Sequence, residues 1–238
     1  MVDLTIPSKT SIIAELGNIH LHSKSSTESA VYDAFSAGAD LVKIQCINPL
    51  TAYWATNEQH KRYEAFTWPI ERYIDFFSSM NEKYGNRVFA STFDAMYVDA
   101  LKAVMPYWKV AFRMRDDTPM IAKMLWTERP IFFSTRGKFY AHDSSTWFYK
   151  SDQFIPLYAT EYMFDSKTET KIVQSFKAGS YKGLSINFGG SHAIRVAAHL
   201  AHRCRYIEAH VRGENAIGPD AAWSLTMKEL EQLRLEVI

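Results

Sequence analysis

Two lysines in this chain stand where a lysine is costly. Val42-Lys43-Ile44 and Trp108-Lys109-Val110 each set an ammonium group inside an apolar, β-prone run, and a charge buried there is unfavourable unless an anion compensates it. Two compensations are open. One is a bound anion: with the hydroxyls of Thr92, Ser134 and Ser185 as further donors, such a ring suits a small compound bearing phosphate and carboxylate. The other is an internal ion pair with Glu15 or Glu208. Further polar residues close other apolar runs: Glu15 with Asn18 and His20 after it, Gln45, Ser91-Thr92-Phe93-Asp94, Ser134-Thr135, Thr160-Glu161, Asn187, and Glu208-Ala209-His210. His210 has the chemistry of a metal ligand, a general base or a hydrogen-bonded rim histidine, and Asn187 offers an amide oxygen that a hard cation tolerates but binds weakly. His20, His22 and His192 read as surface residues before they read as ligands.

What must position these groups is a repeated strand and helix. Short β-rich runs at 11–16, 41–46, 88–92, 107–111, 130–134, 154–159, 183–187 and 206–210 alternate with stretches of helical apolar period, the βαβ signature. Eight such strands predict a closed parallel (β/α)8 TIM barrel, a fold of roughly 250 residues whose active sites lie at the C-terminal ends of the strands. The 238 residues therefore read as one domain, 1–238. Two stretches lack a clean period, 48–68 and the aromatic-rich 138–153. Both are placed as loops at the barrel mouth, lids or rim packing.

Composition narrows the function classes. Lys and Arg total 27 against 26 Asp and Glu, a formal charge of +1, so no global field recruits nucleic acid or an anionic membrane. The two cysteines, Cys46 and Cys204, lie in apolar stretches and read as reduced, buried thiols. The opening Met1-Val2-Asp3-Leu4-Thr5 has no basic segment leading an apolar one, and no run approaches the ~20 apolar residues of a membrane span. A soluble, cytoplasmic protein is expected.

Several strings then become specific in combination. Ile13-Ala14-Glu15-Leu16-Gly17-Asn18-Ile19-His20, Ala37-Gly38-Ala39-Asp40-Leu41-Val42-Lys43-Ile44-Gln45, Trp108-Lys109-Val110-Ala111, Phe133-Ser134-Thr135, Gly183-Leu184-Ser185, Ile207-Glu208-Ala209-His210 and Gly218-Pro219-Asp220 together resemble the N-acetylneuraminate (sialic acid) synthase family, in collinear order over nearly the whole chain. That family joins phosphoenolpyruvate to an amino-sugar aldehyde on a (β/α)8 barrel with a divalent metal, Mn2+ or Mg2+. The resemblance implies that Lys43, Thr92, Lys109, Ser134 and Ser185 hold phosphoenolpyruvate, with Gln45 beside them. It further implies that Glu15 handles protons, that His210 binds metal and that Asp220 contacts the acceptor.

The departures gather on the acceptor side. Ser185-Ile186-Asn187 stands where the resemblance implies a second metal histidine, leaving His210 and Asn187 as the ligands of a metal expected to be weak or absent. Phe112 and Met114 replace small residues and a sugar-binding glutamate, while Glu161 and Met163 replace an asparagine and a tyrosine. The antifreeze-like C-terminal domain has no counterpart in the sequence. Two ways of completing the site are open: a homo-oligomer or a partner chain in place of that domain, or closure of the mouth by the loops 48–68 and 138–153. The reading that follows is a phosphoenolpyruvate-dependent, aldol-type condensation with a sugar-like carbonyl acceptor, giving a sialic-acid-like 2-keto acid and phosphate. Two alternatives stand beside it: a Schiff-base aldolase or lyase acting through Lys43 or Lys109, and a non-catalytic binding or assembly barrel of the same descent.

Overall fold

The computed structural model describes residues 9–17, 23–48, 64, 66–136, 151–160, 170, 172–174, 176, 181–214, 216–217 and 219–237. The candidate residues Asn18, His20, His22, Glu161 and Met163, and most of both aperiodic stretches, lie outside them.

Eight parallel strands form in chain order: β1 (Ser11–Gly17), β2 (Leu41–Cys46), β3 (Val88–Thr92), β4 (Trp108–Val110), β5 (Ile131–Thr135), β6 (Phe154–Ala159), β7 (Gly183–Ile186) and β8 (Tyr206–Arg212). Each pairs with the next, and β8 pairs with β1, which closes the barrel. The strands are apolar almost throughout and nearly every residue in them is buried, as expected where one face lines the barrel and the other packs under helices. A two-residue strand, β9 (Leu225–Thr226), adds to the end of β8 at Val211 and Arg212; nothing in its apolar pattern had marked it as a strand.

Local chemistry sets the helices. Ser23 caps α1 (Lys24–Ser36), and Gly85, in the left-handed region at φ 65°, ends α2 (Ile70–Tyr84). Asp94 caps α3 (Ala95–Leu101) and Asp117 caps α4 (Thr118–Trp126), each accepting a main-chain N–H in the first turn. Asp94 is thus a cap although it closes a polar strand end. After α5 (Gly190–Ala201), α6 (Met227–Glu236) opens with a capping box between Thr226 and Glu229. Its Arg234 donates to the carbonyls of Gly38 and Thr10 and pairs with Asp40, tying the last helix to the start of the barrel. Among the described residues, no helix is long and apolar enough to cross a membrane.

Inside the barrel, aromatic rings fill the N-terminal half. Phe132 packs on Phe89 and on Tyr206 at centroid distances of 5.4 and 5.0 Å, with Tyr107 against both Phe89 and Phe132. This plug leaves the polar residues only the C-terminal half. Gly183 makes room for it: a Cβ there would stand 2.3 Å from the carbonyl oxygen of Tyr206 and 2.7 Å from Leu157. Gly183→Ala is expected to destabilise the fold by about 1–3 kcal/mol through overpacking against backbone, read as a lowered midpoint in denaturant unfolding. An unchanged midpoint would mean that β7 and β8 can separate without cost.

Candidate active site

In a strand, successive side chains point to opposite faces, and the strand ends of this barrel obey that period. Glu15, Lys43 and Gln45, Ser91 and Phe93, Lys109 and Ala111, Ser134 and Arg136, Ala159, Ser185 and Asn187, and Glu208 and His210 all line one cavity of about 420 Å³ at the C-terminal mouth. Thr92 belongs to the other face. Its hydroxyl lies 3.6 Å from the sulfur of Met120 on α4, which takes Thr92 away from the cavity it was expected to line, and Ser91 faces the cavity instead.

The floor of the cavity is a buried ion network. Glu15, Lys43, Lys109 and Glu208 are each at most 4% exposed. Lys109 Nζ donates to Glu208 Oε1 at 2.8 Å, Lys43 lies 3.1 Å from Glu208 Oε2, and Lys43 also pairs with Glu15. Ser185 donates its hydroxyl to Glu208 Oε1 at 2.8 Å. The internal pairing left open above is therefore present, with Glu208 as the bridge between the lysines. Gly17 supports the other carboxylate: at φ 60°, where glycine is favoured, its N–H donates to Glu15 Oε1 at 2.9 Å.

This burial moves protons. Lys43 is lowered to about 7 because burial penalises its charge more than Glu208 restores it. Burial acts to raise Glu208, but Lys109 and Lys43 outweigh it and hold the carboxyl well below the usual range. Burial also lowers His210, against the pull of Asp220, which favours a neutral imidazole near pH 7.

Two buried hydroxyls face the cavity. Ser91 Oγ and Ser134 Oγ are buried, and neither finds a hydrogen bond among the described residues, a costly state unless something else in the cavity meets them. Above the floor, Arg136 donates to the carbonyls of Ala159 and Thr160 at 2.9 and 2.8 Å, and its guanidinium stacks 4.4 Å from the ring centre of Phe112. Arg113 stacks over Phe93 at 4.3 Å. The opposite lip is the 3-10 turn Pro219–Trp223, which brings Asp220 and Trp223 to the cavity. It packs so closely on the β7–α5 turn that a Cβ on Gly189 would meet the Trp223 carbonyl at 2.3 Å.

The expected metal ligands are adjacent but few. Asn187 is tied by its side-chain amide to the carbonyl of Thr160 at 3.0 Å. Among the described residues, no three His, Cys, Asp or Glu side chains gather as a metal site. His192 sits on α5 against Phe188, away from the cavity. The sequence alone does not single out Arg136 or Glu208 as ligand-binding residues. The available signal for Arg136 was its position two residues past Ser134, on the same strand face.

With a folded value near 7 against 10.5 for a free lysine, Lys43 binds fewer protons in the folded than in the unfolded chain across that window. Its contribution to stability therefore rises with pH from about 7 to about 10.5. A carbon-13 titration of the Lys43 side chain is expected to show a midpoint near pH 7; a midpoint close to 10 would mean that Glu15 and Glu208 overcome burial.

Residues 30–143 match the NeuB family. No curated protein matches the chain by sequence. Among solved structures, the sialic acid synthetase of Leptospira borgpetersenii serovar Hardjo-bovis, in complex with citrate, superposes with a TM-score of 0.77 at 18% identity, over 97% of this chain and 83% of that one. The spore coat polysaccharide biosynthesis protein SpsE of Bacillus subtilis gives 0.71 at 18% identity, over 96% and 67%. A truncated 3-deoxy-D-arabino-heptulosonate 7-phosphate synthase of Thermotoga maritima gives 0.67 at 13% identity, over 99% and 88%. At these identities the structures speak for the fold, and the sequence match speaks for the stretch from α1 past β5: the protein is a NeuB-like (β/α)8 barrel.

Proposed function

We propose that the barrel catalyses a phosphoenolpyruvate-dependent condensation with a carbonyl acceptor, releasing phosphate and a 2-keto acid. One observation carries the reading: two buried hydroxyls, Ser91 and Ser134, without hydrogen-bond partners among the described residues, face a cavity floored by two buried lysines. Donors placed in this way suit a small, oxygen-rich anion. The NeuB match over residues 30–143 and the sialic acid synthetase fold support the reaction class.

In this mechanism Ser91, Ser134 and Lys109 bind the donor, and Ser185 and Glu208 hold Lys109 in place. The methylene carbon of phosphoenolpyruvate attacks the acceptor carbonyl carbon, forming the new C–C bond. The carbonyl oxygen becomes an alkoxide and takes a proton from Lys43, whose value near 7 suits a general acid at neutral pH. Water adds at the former enol carbon and gives a proton to Glu15. Phosphate leaves by C–O cleavage and takes the proton of the newly formed hydroxyl, giving the 2-keto acid, and the proton on Glu15 returns to Lys43 across their ion pair. Asp220 and Trp223, on the lip, face the acceptor. A divalent cation, Mn2+ or Mg2+, would find His210 and Asn187 as its protein ligands and would supply Lewis-acid polarisation of the acceptor carbonyl.

The lowered value of Lys43 also favours a second reading, a Schiff-base aldolase or lyase. Borohydride treatment with a keto-acid substrate separates the two, because only the second traps an adduct on Lys43.

Calorimetric titration of phosphoenolpyruvate, with and without Mn2+, tests the first. Binding is expected on the wild-type chain and is expected to weaken by about tenfold in Ser134→Ala, the loss of one hydrogen bond to a charged group. Absence of binding under both conditions would sink the condensation reading.

A further inference from the structure

Away from the strand-end cavity, the helical layer carries two surfaces of opposite charge. Trp126, the last residue of α4, is 79% exposed, an uncommon state for a side chain with so large an apolar area. It stands at a depression between α3 and α4 with Val98, Lys102, Lys123 and Arg129. Asp99 pairs there with Lys123, so Lys102 and Arg129 leave the patch cationic. The second surface is a groove of about 390 Å³ between α1 and α6. Ala30, Ala37 and Met227 give it apolar walls, Asp33, Glu214 and Glu231 give it charge, and no lysine or arginine lines it among the described residues. Leu235, 73% exposed, stands one turn beyond Glu231 on the same face of α6. A cavity of roughly 150 Å³ takes a benzene ring, so the groove has room for an indole.

We propose that these surfaces are the two halves of one contact between copies of this chain: Trp126 of one copy enters the α1–α6 groove of the next, and Lys102 and Arg129 meet Asp33, Glu214 and Glu231. Charge selects this pairing. A two-fold contact of Trp126 on Trp126 would set Lys102 and Arg129 against their own copies, whereas the groove offers the opposite sign. The halves cannot meet within one chain, because α1 and α6 follow β1 and β8 while α3 and α4 follow β3 and β4, on different sides of the closed ring. The contact is therefore heterologous and repeats from copy to copy. A formal charge of +1 sets no overall repulsion against it. The inference is independent of the condensation reading.

Sedimentation velocity on the full chain over a range of concentrations tests it. The wild type is expected to grow past the mass of a dimer, with an association constant about tenfold lower in roughly 0.5 M than in roughly 0.05 M salt. Trp126→Glu is expected to weaken association by about thirtyfold or more, as loss of a central aromatic anchor does. Two charge reversals, Lys102→Glu with Arg129→Glu and Asp33→Lys with Glu231→Lys, are each expected to stay monomeric alone and to assemble when mixed, because each presents the charge that the other lacks. Thermal melts check folding, and the exposed Lys102 and Arg129 pair with Trp126→Glu keeps the test decisive if the groove variant unfolds. A wild type that is monomeric at every concentration overturns the contact. Association that Trp126→Glu retains also overturns it. Association lost in Trp126→Glu but kept in the groove variant overturns the groove as the seat of Trp126.

Discussion

Everything at the mouth of this barrel depends on Glu208. Its two oxygens reach Lys109 and Lys43, on strands that do not adjoin β8, and one of them also takes the hydroxyl of Ser185. A single carboxylate thus holds two cations and one donor in fixed places inside a closed sheet. Without it, two ammonium groups would be left close together in a poorly solvated interior, a state that costs several kcal/mol. Replacement of the whole network by apolar side chains could satisfy the fold equally well. The network supplies positioned charges and a lysine whose proton is exchangeable near neutrality.

The barrel supplies the setting through two simple rules. Closure of β8 on β1 turns every strand end toward one mouth, and the two-residue period then divides each strand end into a residue for the cavity and a residue for the helical layer. The aromatic plug of Phe89, Phe132 and Tyr206 occupies the other half of the interior. Polar groups are thereby confined to a shallow tier, close enough to interact. The result is a cavity in which the carboxylates of Glu15, Glu208 and Asp220 and the cations of Lys43, Lys109, Arg113 and Arg136 share one tier.

The placement of Thr92 and Ser91 shows where reading residues in order reaches its limit. Both are small hydroxyl residues at the end of β3, equally plausible as donors, and only the phase of the strand separates them. One meets a methionine sulfur on α4 and the other faces the cavity. Asp94 makes a similar point, since a polar residue after a strand can cap the next helix instead of serving a ligand.

The sequence by itself determined the architecture: eight apolar β-prone runs separated by helical periods admit little besides a parallel barrel, and all eight strands lie within a residue or two of their expected bounds. It also determined which residue types reach the mouth, because an ammonium inside an apolar strand must be compensated wherever it lies. Tertiary structure alone decided what compensates it. The ion pairs Lys43–Glu15, Lys43–Glu208 and Lys109–Glu208 join residues up to 165 positions apart, and distance along the chain carries no record of distance across a barrel. Arg136 was equally hidden, since a single arginine past a strand end becomes a site residue only when closure sets it beside Ser134, Phe112 and the cavity they share. Strand phase and barrel closure act on the folded chain as a whole, which is why composition and local pattern could name the candidates but not assemble them.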